Sequence, residues 1–324
     1  HFDSLAAKYV SDSLWSRGTW HPQDRPPVGK VFESMHGAAR QYHQLAERAR
    51  RVVPEGFHPS FSPDGTQLAY SRGVLGASGI EILDLGTGKT RLLTVPGKDP
   101  AWSPDGQHIL YVRDRQFLSM QDLTSPGQEK PQRWKQEEVW IIRADGDERP
   151  RFLAKGGWPN WSGDSRRLYY HSRLDKMVYS LSTDPNNPDP KKVFACESQF
   201  PVVSPDERSI AFIDQKTGAL KIVDLADGSE AASWPGFGRS GPSFISWSAD
   251  GKRLAIGCYW QGGLWIYDVD AKQATQVFDG SFAWCAWSVP DMSRMVIERG
   301  FGSWHHEIWI ADAVEDGVPM KGAE

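Results

Sequence analysis

The chain has 324 residues, 39% hydrophobic and 24% charged, with a mean hydropathy of -0.52: enough apolar material for a core and too little for a bundle of membrane helices. Thirty-seven Lys and Arg against 41 Asp and Glu leave a net charge of -4, which gives no global attraction to nucleic acid or to an anionic lipid surface. Three scattered cysteines, Cys196, Cys258 and Cys285, form neither a disulfide framework nor a zinc motif and read as buried thiols.

Residues 1–49 differ in kind from the rest. His1-Phe2-Asp3-Ser4 shows no secretory signal, and the missing initiator Met is expected from trimming. Phe2, Leu5, Ala6, Tyr9 and Leu14 hint at a short helix, and a breaker stretch follows with Pro22, Pro26 and Pro27. Val31, Phe32, Met35, Ala38, Ala39, Tyr42, Leu45, Ala46 and Ala49 then recur at helical spacing, which predicts one amphipathic helix packed on the remainder of the chain.

From residue 50 onward a repeat organises the sequence. Ser62-Pro63-Asp64-Gly65 returns as Ser103-Pro104-Asp105-Gly106 and Ser204-Pro205-Asp206-Glu207. Degenerate copies begin at Ser162, Ser248 and Ser288. The serines stand 41, 59, 42, 44 and 40 residues apart, so there are six units. Pro, Asp and Gly in this order make a tight turn. A short apolar stretch precedes each turn (strand A, as in Pro100-Ala101-Trp102) and another follows it (strand B, as in His108-Ile109-Leu110-Tyr111). A third run ends in several copies at Asp (strand C, as in Leu220-Lys221-Ile222-Val223-Asp224). An outer strand D such as Thr90-Arg91-Leu92-Leu93 completes the unit.

Four-stranded units of about 40 residues must stack radially to bury both sheet faces, which predicts an all-β, six-bladed β-propeller over 50–324 with a short N-terminal helical extension over 1–49. Arg50-Arg51-Val52-Val53 aligns with an outer strand, and the last blade ends at strand C. Arg50 to Val53 is therefore expected to complete blade 6 and close the ring. Val318-Pro319-Met320 is the poorer donor because of its proline. The long second spacing places a surface excursion between strands B and C of blade 2, within Arg113 to Glu138.

These units, a Ser-Pro-Asp-Gly turn between two hydrophobic strands and then a strand ending in Asp, resemble the propeller repeats of the TolB family over residues 50 to 313. The resemblance implies a propeller that binds a partner, and an exported or periplasmic home in preference to a cytoplasmic one. About 50 residues precede the ring here, where the family carries an α/β domain. No Gly-x-Ser-x-Gly nucleophile turn is present, as a propeller-capped peptidase would require.

In a propeller the B–C loops and the blade-to-blade approaches share one end of the ring. That end collects Arg72, Arg113, Arg115, Trp134, His171, Arg173, Tyr259, Trp260, Arg299, Trp304, His305 and His306. The positions four before each serine add His58, Asp99, Trp158, Phe200, Phe244 and Trp284. The expected ligand-binding set is His58, Asp99, Arg113, His171, Arg173, Tyr259, Trp260, Arg299, Trp304 and His306, because guanidinium forks and flat rings suit an anionic or sugar-like ligand. The expected function is a non-catalytic binding protein that offers this end to a protein or small ligand, with no cofactor. The alternative is a metal-assisted lyase or hydrolase of uronate oligosaccharides, in which His305 or His306 joins His58 or His171 around a divalent ion.

Overall fold

In a computed structural model of the chain, the described residues are 45–73, 78–114, 137–198, 200–214, 216–235, 243–258, 262–288, 292–301, 305–312, 314–315 and 318–319. The earlier part of the predicted N-terminal helix, the shorter one before it and most of the blade 2 excursion lie outside them. Residues 45–48 are helical, and Leu45 is buried among Val277, Phe278 and Phe282. Arg48 donates to the Val277 carbonyl at 2.8 Å and lies 4.3 Å from the Phe278 ring centroid. The end of the predicted helix thus packs on the ring.

The strands run in chain order. After β1 (Arg50–Val53), blade 1 is β2 (Phe57–Phe61), β3 (Gln67–Arg72), β4 (Gly79–Asp84) and β5 (Thr90–Thr94). Blade 2 is β6 (Lys98–Trp102), β7 (His108–Asp114), β8 (Glu137–Arg143) and β9 (Arg151–Lys155). Blade 3 is β10 (Gly157–Trp161), β11 (Arg167–Ser172), β12 (Met177–Ser182) and β13 (Lys191–Ala195). Blade 4 is β14 (Val202–Val203), β15 (Ser209–Ile213), β16 (Leu220–Asp224) and β17 (Glu230–Trp234). Blade 5 is β18 (Ser243–Trp247), β19 (Arg253–Cys258), β20 (Gly263–Asp268) and β21 (Gln273–Phe278). Blade 6 takes β22 (Phe282–Trp287), β23 (Arg294–Phe301) and β24 (His305–Asp312).

Each blade is a four-stranded antiparallel sheet, and the six form a ring. The fourth strand of blade 6 is β1, with Arg50 opposite Ile310 and Arg51 opposite Trp309, so the chain closes the ring as its alignment predicts. The other donor is used elsewhere: β26 (Val318–Pro319) pairs only with β25 (Val314–Glu315) in a two-stranded ribbon.

The serine of the turn explains the repeat. Ser62, Ser103, Ser162, Ser204 and Ser248 are buried, and each donates its hydroxyl to the Asp two residues on, at 2.6–2.7 Å. The hydroxyl oxygen in turn accepts the backbone N–H five residues on at 2.9 Å, where strand B begins. The Asp carboxylate accepts the N–H two residues beyond itself, as Asp64 Oδ1 does from Thr66 N–H at 3.0 Å. The fourth position has positive φ: Gly65, Gly106 and Gly251 adopt 66°, 76° and 70°, and Ser165 and Glu207 take the same geometry.

Packing between blades supplies the core. Ala69, Ile80 and Ile82 of blade 1 form one buried cluster with Ile109, Tyr111 and Ile142 of blade 2. The other five junctions have their own clusters, including the closing one, where Val53, Tyr70 and Leu83 meet Val296, Ile308 and Ile310. Indole N–H groups stitch neighbouring first strands, Trp161 donating to the Ala101 carbonyl at 2.9 Å and Trp247 to the Val202 carbonyl at 3.2 Å. No helix among the described residues is long and apolar enough to cross a membrane.

Candidate functional site

Strand A begins, and strand B ends, at the end of the ring opposite the Ser–Asp turns. This entry end is built by a local break in the first strands. Pairing slips between Phe57 and Ser60, between Lys98 and Ala101, and between Gly157 and Asn160. At the slips, His58, Asp99 and Trp158 adopt φ of 50°, 55° and 54°. A non-glycine residue held there stores roughly 1–3 kcal/mol, and the proline that follows each one (Pro59, Pro100, Pro159) fixes the chain beyond it.

The six positions four before each serine converge. The His58 ring lies 5.0 Å from Trp284, 5.6 Å from Phe244 and 6.3 Å from Trp158. Trp158 and Phe244 both pack on Phe200, at 4.3 and 4.2 Å. Asp99, the sixth, accepts from His58 Nδ1. One side chain from every blade thus meets at the hub, which is filled by rings around a buried ion pair.

The carboxylate of Glu298 extends this group. Its Oε2 accepts the His58 backbone N–H at 2.7 Å, and its Oε1 lies 2.5 Å from His306 Nδ1. Asp99 N–H donates to Ser71 Oγ at 2.9 Å. Burial alone would lower the His58 pKa, but Asp99 and Glu298 outweigh it and the net shift is upward. Burial would likewise raise Asp99 and Glu298. His58 with Lys98 and Arg173 in the first case, and His58 with His306 in the second, hold both below the ordinary carboxylate range.

Beside the hub, at blades 2 and 3, lies a second charged group. Lys98 Nζ is 2.8 Å from Glu137 Oε1 and 3.1 Å from Asp114 Oδ1. The Arg173 guanidinium lies 5.4 Å from the Trp158 ring and attracts Asp99 and Glu137. Burial is the largest influence on Glu137 and raises its pKa despite Lys98 and Arg173. His171, buried in β11, has Nε2 3.0 Å from the Cys196 carbonyl and is lowered by burial.

Of the expected site residues, His58, Asp99, Arg173 and His306 are drawn into these two groups, and His171 borders them. Arg113 lies instead over Trp140 at 4.1 Å, with its NH2 3.4 Å from Thr94 Oγ1. Arg299 is buried. The stretch Arg299 to His306, expected to be a loop, largely continues the β23–β24 hairpin, with Arg299 opposite Glu307 and Gly300 opposite His306. His306 is accordingly a strand residue held by Glu298. Arg113 and Asp114 likewise pair with Glu138 and Glu137, so the blade 2 excursion starts later than Arg113. Tyr259, Trp260 and Trp304 lie outside the described residues.

Sequence reasoning missed Lys98, Asp114, Glu137 and Glu298. Glu298 carried a visible signal, a charge directly after Met295-Val296-Ile297 at the position that Ser71 and His171 hold in their own strands B. Of the imidazoles considered as metal ligands, His58 is engaged by Asp99, His306 by Glu298, and His171 through Nε2 by the Cys196 carbonyl. Among the described residues no group of three or more His, Cys, Asp or Glu is arranged to hold a metal ion.

No family model matches the chain, and no curated protein matches it. Solved structures do. TolB from Acinetobacter baumannii aligns at 17% identity with a TM-score of 0.52, over 70% of this chain and 55% of its own, so the match spans about half of that protein. A protein assigned as TolB from Agrobacterium tumefaciens aligns at 17% identity with a TM-score of 0.55, over 84% of this chain and 96% of its own. The fold is a TolB-like β-propeller. Hydrazine synthase from Kuenenia stuttgartiensis also aligns, at 16% identity with a TM-score of 0.50, over 76% of this chain and 77% of its own. The same architecture therefore serves unlike activities, and function has to be argued from the site.

Proposed function

We propose that this chain is a non-catalytic binding module that recognises a protein segment or small ligand at the entry end of its ring. One observation carries the reading. Of the buried polar atoms with no protein partner, Arg113 Nε, Glu137 Oε2, Trp158 Nε1, His171 Nδ1, Arg173 Nε and Trp284 Nε1 lie towards the entry end. At the turn end the recurring Ser and Asp side chains bond to each other, and two unpartnered atoms lie there, Tyr267 OH and Trp287 Nε1. Buried donors and acceptors without partners are uncommon in folded proteins, and their concentration at one place marks where another molecule completes the bonding.

The filled hub supports binding at the ring's end in preference to passage through it. Hub residues held at positive φ and crossed by ion pairs form a stiff platform, which limits the entropy lost when a ligand docks. An exported location belongs to the same proposal, and cell fractionation tests it.

The test is a thermal-shift screen of the full chain against neutral oligosaccharides, uronate oligosaccharides and short peptides, repeated with Arg173→Ala. A ligand that binds the native state raises the melting temperature. The reading expects a hit whose shift is strongly reduced in the variant. A hit whose shift survives unchanged overturns the placement of the site.

A further inference from the structure

Three residues with unpartnered atoms, Glu137, Trp158 and His171, surround a fourth, Arg173, whose guanidinium lies over the Trp158 ring and acts on both Glu137 and His171. Glu137 opens β8, Gly157 and Trp158 open β10, and His171 in β11 is the cross-strand partner of Gly157. A Cβ on Gly157 would lie 2.7 Å from Glu137 Oε2, so the carboxylate rests directly against the glycine backbone. Arg173 follows β11 and reaches over the Trp158 ring. Glu137 and His171 are 6% and 3% exposed, yet Glu137 Oε2 and His171 Nδ1 have no protein partner, and neither do Trp158 Nε1 and Arg173 Nε.

We infer that Glu137, Trp158, His171 and Arg173 form a subsite for a neutral, hydroxyl-rich ligand, a sugar unit that inserts one or two hydroxyls among them. The inference rests on the reading of the entry end as the recognition surface and narrows it to one ligand class.

Charge bookkeeping argues for a neutral ligand. Lys98 is already shared between Glu137 and Asp114, and Arg173 is already set against Asp99 and Glu137. With His58 counted, three cations already face the three carboxylates Asp99, Asp114 and Glu137, so an anion brings a charge that nothing there is free to balance. An ammonium ion at Glu137 Oε2 meets the repulsion of Lys98, already 2.8 Å from Oε1, and of Arg173. Burial also moves Glu137 and His171 towards their neutral forms.

The polar atoms argue for hydroxyls. Trp158 Nε1 and Arg173 Nε can only donate, Glu137 Oε2 in its carboxylate form can only accept, and His171 Nδ1 does either according to its tautomer. A hydroxyl donates and accepts at one oxygen, so a single group can take an N–H and give its proton to the carboxylate. A carboxamide separates these roles over two atoms, and a carboxylate lacks the donor.

The experiment is a fluorescence and calorimetric titration of the full chain with glucose, maltose, cellobiose and chitobiose, with galacturonate oligomers and a glutamine-containing tripeptide alongside. Trp158→Phe keeps a ring and deletes the N–H; Arg173→Lys keeps the charge and deletes Nε–H. Lys252→Ala, at the turn end, is the control, and thermal melts verify that each variant is folded. At least one neutral sugar is expected to bind, with affinity reduced roughly tenfold in each subsite variant and unchanged in the control. Preference for the uronates or the peptide, with the same dependence on Trp158 and Arg173, overturns the sugar assignment and leaves the entry-end reading standing. Sugar binding indifferent to both substitutions overturns the subsite. Failure of every probe to bind overturns both.

Discussion

His58 Nδ1 and Asp99 Oδ1, 41 residues apart, are hydrogen-bonded at the hub, and the bond ties blade 1 to blade 2. Through its own N–H His58 also holds Glu298 of blade 6, so one residue joins three consecutive blades across the closure of the ring.

This arrangement makes stability depend on pH in a defined direction. The folded protein holds the His58 proton more tightly than the unfolded chain does. The resulting stabilisation is complete below the ordinary imidazole value of about 6.5 and is lost as pH rises through the higher folded value. Asp99 and Glu298 are held low, so their contribution is complete above the ordinary carboxylate values of about 4 and is lost as pH falls through the folded values. Melting temperature measured against pH is expected to decline on both sides, and His58→Gln is expected to remove most of the decline between about pH 6.5 and 8, below the range in which the raised thiols contribute. Asp99→Asn is expected to cost about 3 kcal/mol near neutrality, because it leaves a buried imidazolium short of a partner. An unchanged alkaline slope in His58→Gln contradicts the role given to this bond.

The Ser–Asp turns predict a second, purely structural effect. Ser103 is buried, donates to Asp105 and accepts from His108 N–H. Ser103→Ala strands that N–H and is expected to lower unfolding free energy by about 1–2 kcal/mol in denaturant titrations. Combined with Asp105→Ala the losses are expected to fall short of additivity, because both substitutions remove the same hydrogen bond.

Ring closure can be probed at Val53. Its side chain is buried against blades 1 and 6, whereas Val52 beside it is only partly buried. Val53→Ala is expected to cost about 2 kcal/mol and Val52→Ala clearly less. Equal effects would argue that β1 does not seal the junction.

The cysteines give a chemical readout of the same packing. Cys196, Cys258 and Cys285 are buried. Burial pushes the Cys196 thiol up to about 11 and raises Cys285 as well. A disulfide reagent at pH 8 is expected to find all three thiols slow in native protein and all three reactive in denaturant. Fast labelling of one of them in the native state contradicts its placement.

Most of the fold was readable because the repeat combines a turn, two flanking strands and a fixed spacing, each with its own local chemistry. The closing role of Arg50 to Val53 followed from the same alignment. The hub positions were also readable, since His58, Asp99, Trp158, Phe200, Phe244 and Trp284 share one offset from the serines. What they do there was not. Whether a ring of six such residues lines an opening or fills it depends on how far each bulge turns its side chain inward, and no residue type encodes that. Lys98, Asp114 and Glu137 were missed because each sits at a strand end, where a charge is ordinarily solvated; only the neighbouring blade reveals their burial. Arg113 lies over Trp140, two strand positions from its partner Glu138, a face that only the β7–β8 pairing reveals.

Hydrogen–deuterium exchange of the full chain, with and without a ligand found in the thermal screen, tests the placement of function most directly. The account predicts slowed exchange around residues 98–99, 137–138, 157–158 and 171–173, with the Ser–Asp turns at 62–66 and 103–107 unaffected. Protection confined to those turns, or to the outer strands β5 and β9, would contradict it.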